Sequence, residues 1–157
     1  MRKAAAAIGL VAFLGFAADA LGLPPFTTAR KTSPGGAGQA EMFAISVGCH
    51  ATFDRLVIRA RNARPGYDVR YVRSVVADPS GMTVRLRGTK RILLVSHNAT
   101  GHQLARVKTP LCPNLRQVKV AGDFEGVVSV GLGLARKTGF RVFRLTGPTR
   151  IVVDVKH

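Results

Sequence analysis

From residue 43 onward, apolar and polar positions alternate with a period of two rather than 3.6, the pattern of half-buried strands. Phe43, Ile45, Val47 and Cys49 alternate with small or polar residues, and Leu56, Ile58 and Ala60 alternate with Val57, Arg59 and Arg61. Tyr67, Val69 and Tyr71 are separated by Asp68 and Arg70, and Met82, Val84 and Leu86 by Thr83 and Arg85. Ile92 to Val95 is a short continuous apolar run, which suits a more buried strand. Val118 and Val120, the valine-rich stretch from Phe124 to Val130, and the segments Phe140 to Leu145 and Ile151 to Val155 complete a set of about nine short strands. Turn chemistry falls between them at Pro65-Gly66, Asp78-Pro79-Ser80-Gly81 and Gly147-Pro148. The prolines between His97 and Asn114 argue against a long helix there. The pattern predicts an all-β fold, a sandwich or barrel.

The chain outside this pattern reads differently. Arg2 and Lys3 precede an uncharged, mostly apolar run from Ala4 to Ala18, and Ala18-Asp19-Ala20 has the small-x-small form that signal peptidase reads. The run is short against the roughly 20 apolar residues of a membrane span. Residues 1–20 are therefore expected to be a signal peptide cleaved after Ala20, with an uncleaved anchor as the alternative. After cleavage no membrane span is expected. Residues 21–42, with Pro24, Pro25, Pro34, Gly35, Gly36 and Gly38, read as a flexible linker that buries too little apolar surface to offset its ordering entropy. Residues 43–157 are long enough for one core. Export to a secreted or extracytoplasmic, envelope-associated location makes a disulfide between Cys49 and Cys112 the expected state. With 62 residues between the cysteines, such a bond contributes about 4 kcal/mol by chain entropy. Two separate thiols are the alternative.

Charge sets the class of partner. Lysine and arginine total 24 against 8 acids, for a net charge of +16, so an anionic partner is expected. The export signal disfavours nucleic acid and leaves wall polymers and acidic lipid. Catalytic signatures are missing. His50, His97, His102 and His157 show no metal-ligand spacing, and no nucleophile elbow occurs, so no enzyme activity, metal or cofactor is expected. Asp54, Asp123 and Glu125 are expected to pair with nearby arginines rather than act as acids or bases. Gly131-Leu132-Gly133 reads as a tight turn or bulge. Strand alternation puts Arg55, Arg59 and Arg61 opposite Leu56, Ile58 and Ala60, and Arg85 and Arg87 opposite Met82, Val84 and Leu86. Arg55, Arg59, Arg85 and Arg87 are accordingly the expected anion-binding residues, set against a merely solvated face.

The segments TFDRLVIRA (Thr52 to Ala60), GYDVRYV (Gly66 to Val72), GDFEGVVSVGLGL (Gly122 to Leu134) and FRVFRLTGPTRIVVDV (Phe140 to Val155) together resemble the AMIN-like domain of secreted actinobacterial proteins. That domain is similar in turn to the AMIN module of cell-wall amidases and secretin-type envelope proteins. The resemblance implies a β-sandwich of two packed sheets. It also implies a non-catalytic binding or targeting role at the cell envelope, with peptidoglycan or another anionic wall polymer as partner. An assembly module contacting an envelope protein is the alternative, which valines on both faces of the Phe124 to Val130 strand would support.

Overall fold

The computed structural model describes residues 22–157, so the signal peptide expected over residues 1–20 lies outside the described residues. Among the described residues there are thirteen strands: β1 (Lys31–Ser33), β2 (Ala40–Cys49), β3 (Phe53–Arg61), β4 (Tyr67–Val72), β5 (Val75–Val76), β6 (Thr83–Val84), β7 (Lys90–His97), β8 (Ala99–Thr100), β9 (Val107–Lys108), β10 (Leu115–Phe124), β11 (Val127–Leu134), β12 (Phe140–Leu145) and β13 (Thr149–Lys156). The count exceeds the expected nine because short edge and hairpin pieces carry no readable alternation. No helix occurs among the described residues.

Two sheets make the sandwich. One has six strands in the order β1-β4-β7-β11-β10-β9, and the other has five in the order β12-β13-β3-β2-β8. All pairings are antiparallel except the short β2–β8 contact. Leu56, Ile58, Ala60, Ile151, Val153 and Val155 face Ile92, Leu94, Val128, Val130 and Leu132 across one continuous interior. Each such side chain contributes about 1.5–3 kcal/mol on burial, so this interior is the main source of stability. The Cys49–Cys112 disulfide forms, with its Cα atoms 5.2 Å apart, and ties the end of β2 in one sheet to the segment leading into β10 in the other.

Two local readings change. A bulge between Met42 and Ala44 resets the alternation of β2, so Met42 and Ile45 point inward while Phe43 lies outside beneath the Arg61 guanidinium, 5.3 Å away. Met82 is 70% exposed, because the strand expected around it is only the two-residue β6.

The 21–42 stretch is not a free linker where it is described. Lys31, Thr32 and Ser33 pair with Val69, Asp68 and Tyr67 of β4, and Thr27 forms a two-way backbone bridge with Phe140. Arg144 donates to Pro34 O, Pro65 O and Ser33 Oγ at 2.8, 2.9 and 2.6 Å. Its composition suggested disorder because the stretch buries little of its own surface. Its partners are instead an unpaired sheet edge and an arginine from 110 residues away.

Asp68 joins this segment to the domain through Arg30 and Arg70. Hydrogen bonding from Arg30, then from Arg70, holds the Asp68 carboxyl below its ordinary value despite partial burial. Its stabilising contribution is therefore complete above about pH 4 and is lost as pH falls through the depressed folded value. Hydrogen-exchange protection factors at Lys31, Thr32 and Ser33 should hold down to about pH 4 and fall below it, ahead of those in β7 and β11.

Candidate functional site

The expected arginine set divides between the two outer faces of the sandwich. Arg55 and Arg59 lie on the outside of the five-stranded sheet, whereas Arg85 and Arg87 flank the buried Leu86 outside the six-stranded sheet. They do not form one site.

Arg55 is not available to a ligand. Register places Arg141 of β12, Asp154 of β13 and Arg55 of β3 directly opposite one another across three strands. The fully buried Asp154 carboxylate accepts from Arg55 Nε and Nη2 at 2.6 and 2.9 Å and from Arg141 Nε at 2.8 Å. Phenyl rings close over the guanidiniums: Arg141 lies 4.4 Å from the Phe26 centroid, and Arg55 lies 5.1 and 5.6 Å from those of Phe53 and Phe143. The hydrogen bond to Asp154 raises the Arg55 pKa further, so it stays charged and paired. Arg61 is likewise engaged by Glu41. Arg59 remains exposed on this face, opposite Arg150.

Asp54, Asp123 and Glu125 do not pair with arginines as expected. Asp54 is fully buried and accepts from the Asn114 and Leu115 amides, both at 2.7 Å, with His157 Nε2 at 3.4 Å. Asp123 accepts from the Gly101 amide and meets His102 Nδ1 at 3.0 Å. Glu125 sits in an exposed turn with φ 47°. Backbone amides left open at the sandwich ends compete for these carboxylates ahead of surface cations. Asp54 also gathers with Cys49 and Cys112 in a group of the size a metal would need, but the bonded sulfurs offer no thiolate ligand.

The other outer face carries a longer run of cations without carboxylate partners. Arg85-Leu86-Arg87-Gly88-Thr89-Lys90-Arg91 runs as a strap along β11, with Leu86 seated beside Val75 and Ala121 in a second apolar cluster. Gly131 and Gly133 are neither turn nor bulge; they are regular β11 residues paired with Leu93 and Arg91. They are glycines because the strap passes directly above. A Cβ on Gly133 would stand 2.0 Å from the Arg87 carbonyl oxygen, and one on Gly88, at φ 100°, would stand 2.3 Å from the Leu134 oxygen. The register shifts fall in the facing strand β10. Backbone bonds pin the strap: Arg87 N to Gln117 Oε1 at 3.0 Å and Thr89 N to Leu134 O at 2.8 Å.

Three clefts surround the strap. One of 430 Å³ is lined by Tyr71, Val72, Arg73, Thr89, Lys90, Arg91 and Lys137. The second adds Arg116 beside Arg87, and the third holds Arg85, Arg87 and Lys119. No carboxylate lines any of them. Arg73, Lys90, Arg91 and Lys137 were not singled out from the sequence. The available signal was the run from Arg85 to Arg91, which holds four cations and no acid. Reading it as a strand hid its course as a strap.

Two substitutions, each with a control, test this construction. Asp154→Asn leaves two guanidiniums packed among phenyl rings without their counter-charge and should cost about 3 kcal/mol in urea unfolding, whereas Arg59→Gln should stay within about 0.5 kcal/mol. Gly133→Ala should cost about 2 kcal/mol by lifting the strap. Gly48→Ala, whose Cβ would meet its nearest atom at an ordinary 3.5 Å, should be close to neutral.

No curated protein and no solved structure matches the chain. The AMIN-like domain model matches residues 40–157, which take in β2 to β13, the disulfide and the whole strap but leave out β1. With most of its length covered by that match, the chain belongs to the AMIN-like family.

Proposed function

We propose that this protein is a non-catalytic module exported to the cell envelope, where it holds an anionic wall polymer such as peptidoglycan on the Arg85–Arg91 strap. The observation that carries the reading is the division of charge. Asp68, Asp154 and Glu41 pair with Arg30, Arg70, Arg55, Arg141 and Arg61, while the strap clefts contain cations without a single carboxylate. Family membership and a disulfide that persists outside the cytoplasm agree with an extracytoplasmic setting. Asp54, Asp154 and His157 hold backbone groups and arginines, and no carboxylate or histidine lines the strap clefts. The assembly alternative keeps little apolar surface on this strand, because Val128 and Val130 face the core and Val127, the one valine on the other face, is half-buried.

Co-sedimentation with isolated cell wall tests the proposal. Binding should fall steeply between 0.1 M and 1 M salt as the screening length shrinks from about 10 Å to about 3 Å. Replacing Arg85, Arg87, Lys90 and Arg91 with glutamine should weaken binding about tenfold or more. The charge-matched replacement of Arg59, Arg64, Arg150 and Lys156 should change it less than about twofold. Equal loss in both variants would reduce the effect to bulk charge. No loss in either would return the assembly reading to first place.

A further inference from the structure

The three strap clefts are not equivalent. The largest, at 430 Å³, gathers Arg73 from the segment after β4, Lys90 and Arg91 from the start of β7, and Lys137 from the loop before β12. None of these four cations has a carboxylate partner among the described residues. The side-chain hydroxyls nearby are already engaged. Tyr71 Oη donates to Thr138 O at 2.8 Å and accepts from Thr138 N at 3.1 Å, and Thr89 Oγ1 donates to Ala135 O at 2.6 Å. Burial pushes the Tyr71 phenol above its ordinary value, so it remains neutral. The charged groups of the cleft are thus donors only, two guanidinium forks and two ammoniums, beside an apolar wall of Tyr71 and Val72.

The wall behind these groups is rigid. Asn114, held by Asp54, donates to Thr138 Oγ1 at 2.9 Å and to Lys156 O at 3.0 Å and accepts from the Arg136 amide. That network fixes the loop carrying Lys137, whose Nζ lies 5.4 Å from the Tyr71 centroid. Lys90 and Arg91 start a core strand, and Val72 is paired with Arg91.

We infer that this cleft is a phosphodiester site, which takes one phosphate of a wall-borne polyol- or sugar-phosphate chain. The inference rests on the wall-binding reading and narrows it to one chemistry. The four donor-only cations come from three chain segments; a planar carboxylate presents its two oxygens in one plane, whereas a tetrahedral phosphodiester of the same charge can be met from more than one side. A phosphate within a repeating chain offers anionic oxygens to a guanidinium fork while its neighbours meet the remaining cations. The Tyr71 and Val72 wall receives the carbon backbone between phosphates. The other two clefts lack this combination: one presents Arg85, Arg87 and Lys119 on a shallower surface, and the other is dominated by Thr109, Pro110 and the 94% exposed Leu111.

Calorimetric titration of the full chain, without its first 20 residues, tests this with two oligomers of matched length and charge, a poly(glycerol phosphate) and a polygalacturonate. The phosphate oligomer should bind about tenfold tighter, and Arg73→Gln with Arg91→Gln should abolish the preference. Arg85→Gln with Arg87→Gln should lower both affinities and keep it. Thermal melts of both variants should match the parent, since all four side chains are exposed or half-exposed. Equal affinity for the two oligomers, with wall binding intact, would overturn the phosphodiester site and leave the wall reading standing. A preference unchanged by Arg73→Gln with Arg91→Gln would also overturn it. Binding to phosphatidylglycerol vesicles without binding to the oligomer would overturn the polymer as the source. Failure to bind oligomers, vesicles and wall alike would remove the wall reading as well.

Discussion

In a chain with 24 cationic side chains and 8 acids, carboxylates are the scarce component, and each one decides where positive charge is cancelled. Asp154 has the largest effect. It lies on β13, between β12 and β3, so one buried carboxylate faces an arginine on either side. An unpaired guanidinium in that layer would resist desolvation, but a paired planar one can lie flat against phenyl rings. Phe26, Phe53 and Phe143 therefore cover the outside of the five-stranded sheet as an ordered layer rather than an exposed apolar patch. Because Phe26 belongs to the N-terminal segment, the same ion pair helps seat that segment on the domain.

Acids placed at Asp154 and Glu41 on one sheet, and at Asp68 near the β1 margin of the other, leave the strap itself to cations. There the ordering comes from backbone. Glycines along β11 let the Arg85–Arg91 strap lie against the sheet at a distance no side chain would permit, and Leu86 plugs it into a small apolar cluster. The cations are then held on a rigid track without ion pairs, and a surface that keeps its charge unneutralised is one that an anion can occupy at little reorganisation cost. The two faces are thus complementary outcomes of one shortage.

The sandwich was legible because period-two alternation survives in β3 and β4, while β7 and β13 carry short apolar runs of buried-strand length. The disulfide was legible because two cysteines in an exported chain have few alternatives. What escaped depended on events across strands. The bulge in β2 moved Phe43 outward, and no local signal distinguishes it from an inward residue. Alternation placed Arg55 on the correct face, yet only the register of β13 against β3 shows that Asp154 neutralises it. Gly131 and Gly133 looked like turn residues because glycine in a strand has two readings, a bend or a close approach, and the approaching segment lies more than 40 residues upstream. The 21–42 stretch looked free because its ordering partners, Asp68, Phe140 and Arg144, are supplied by distant parts of the chain.

The route by which the chain joins the domain has a mechanical consequence. The N-terminal segment attaches at the β1 margin of the six-stranded sheet, through three residue pairs, the Thr27–Phe140 bridge and the Arg144 clamp. The strap rides on β11, an interior strand flanked by β7 and β10 along its length. A pull on the N-terminal segment therefore meets these marginal contacts before it reaches β11, so that segment can detach while the sheet beneath the strap keeps its pairing.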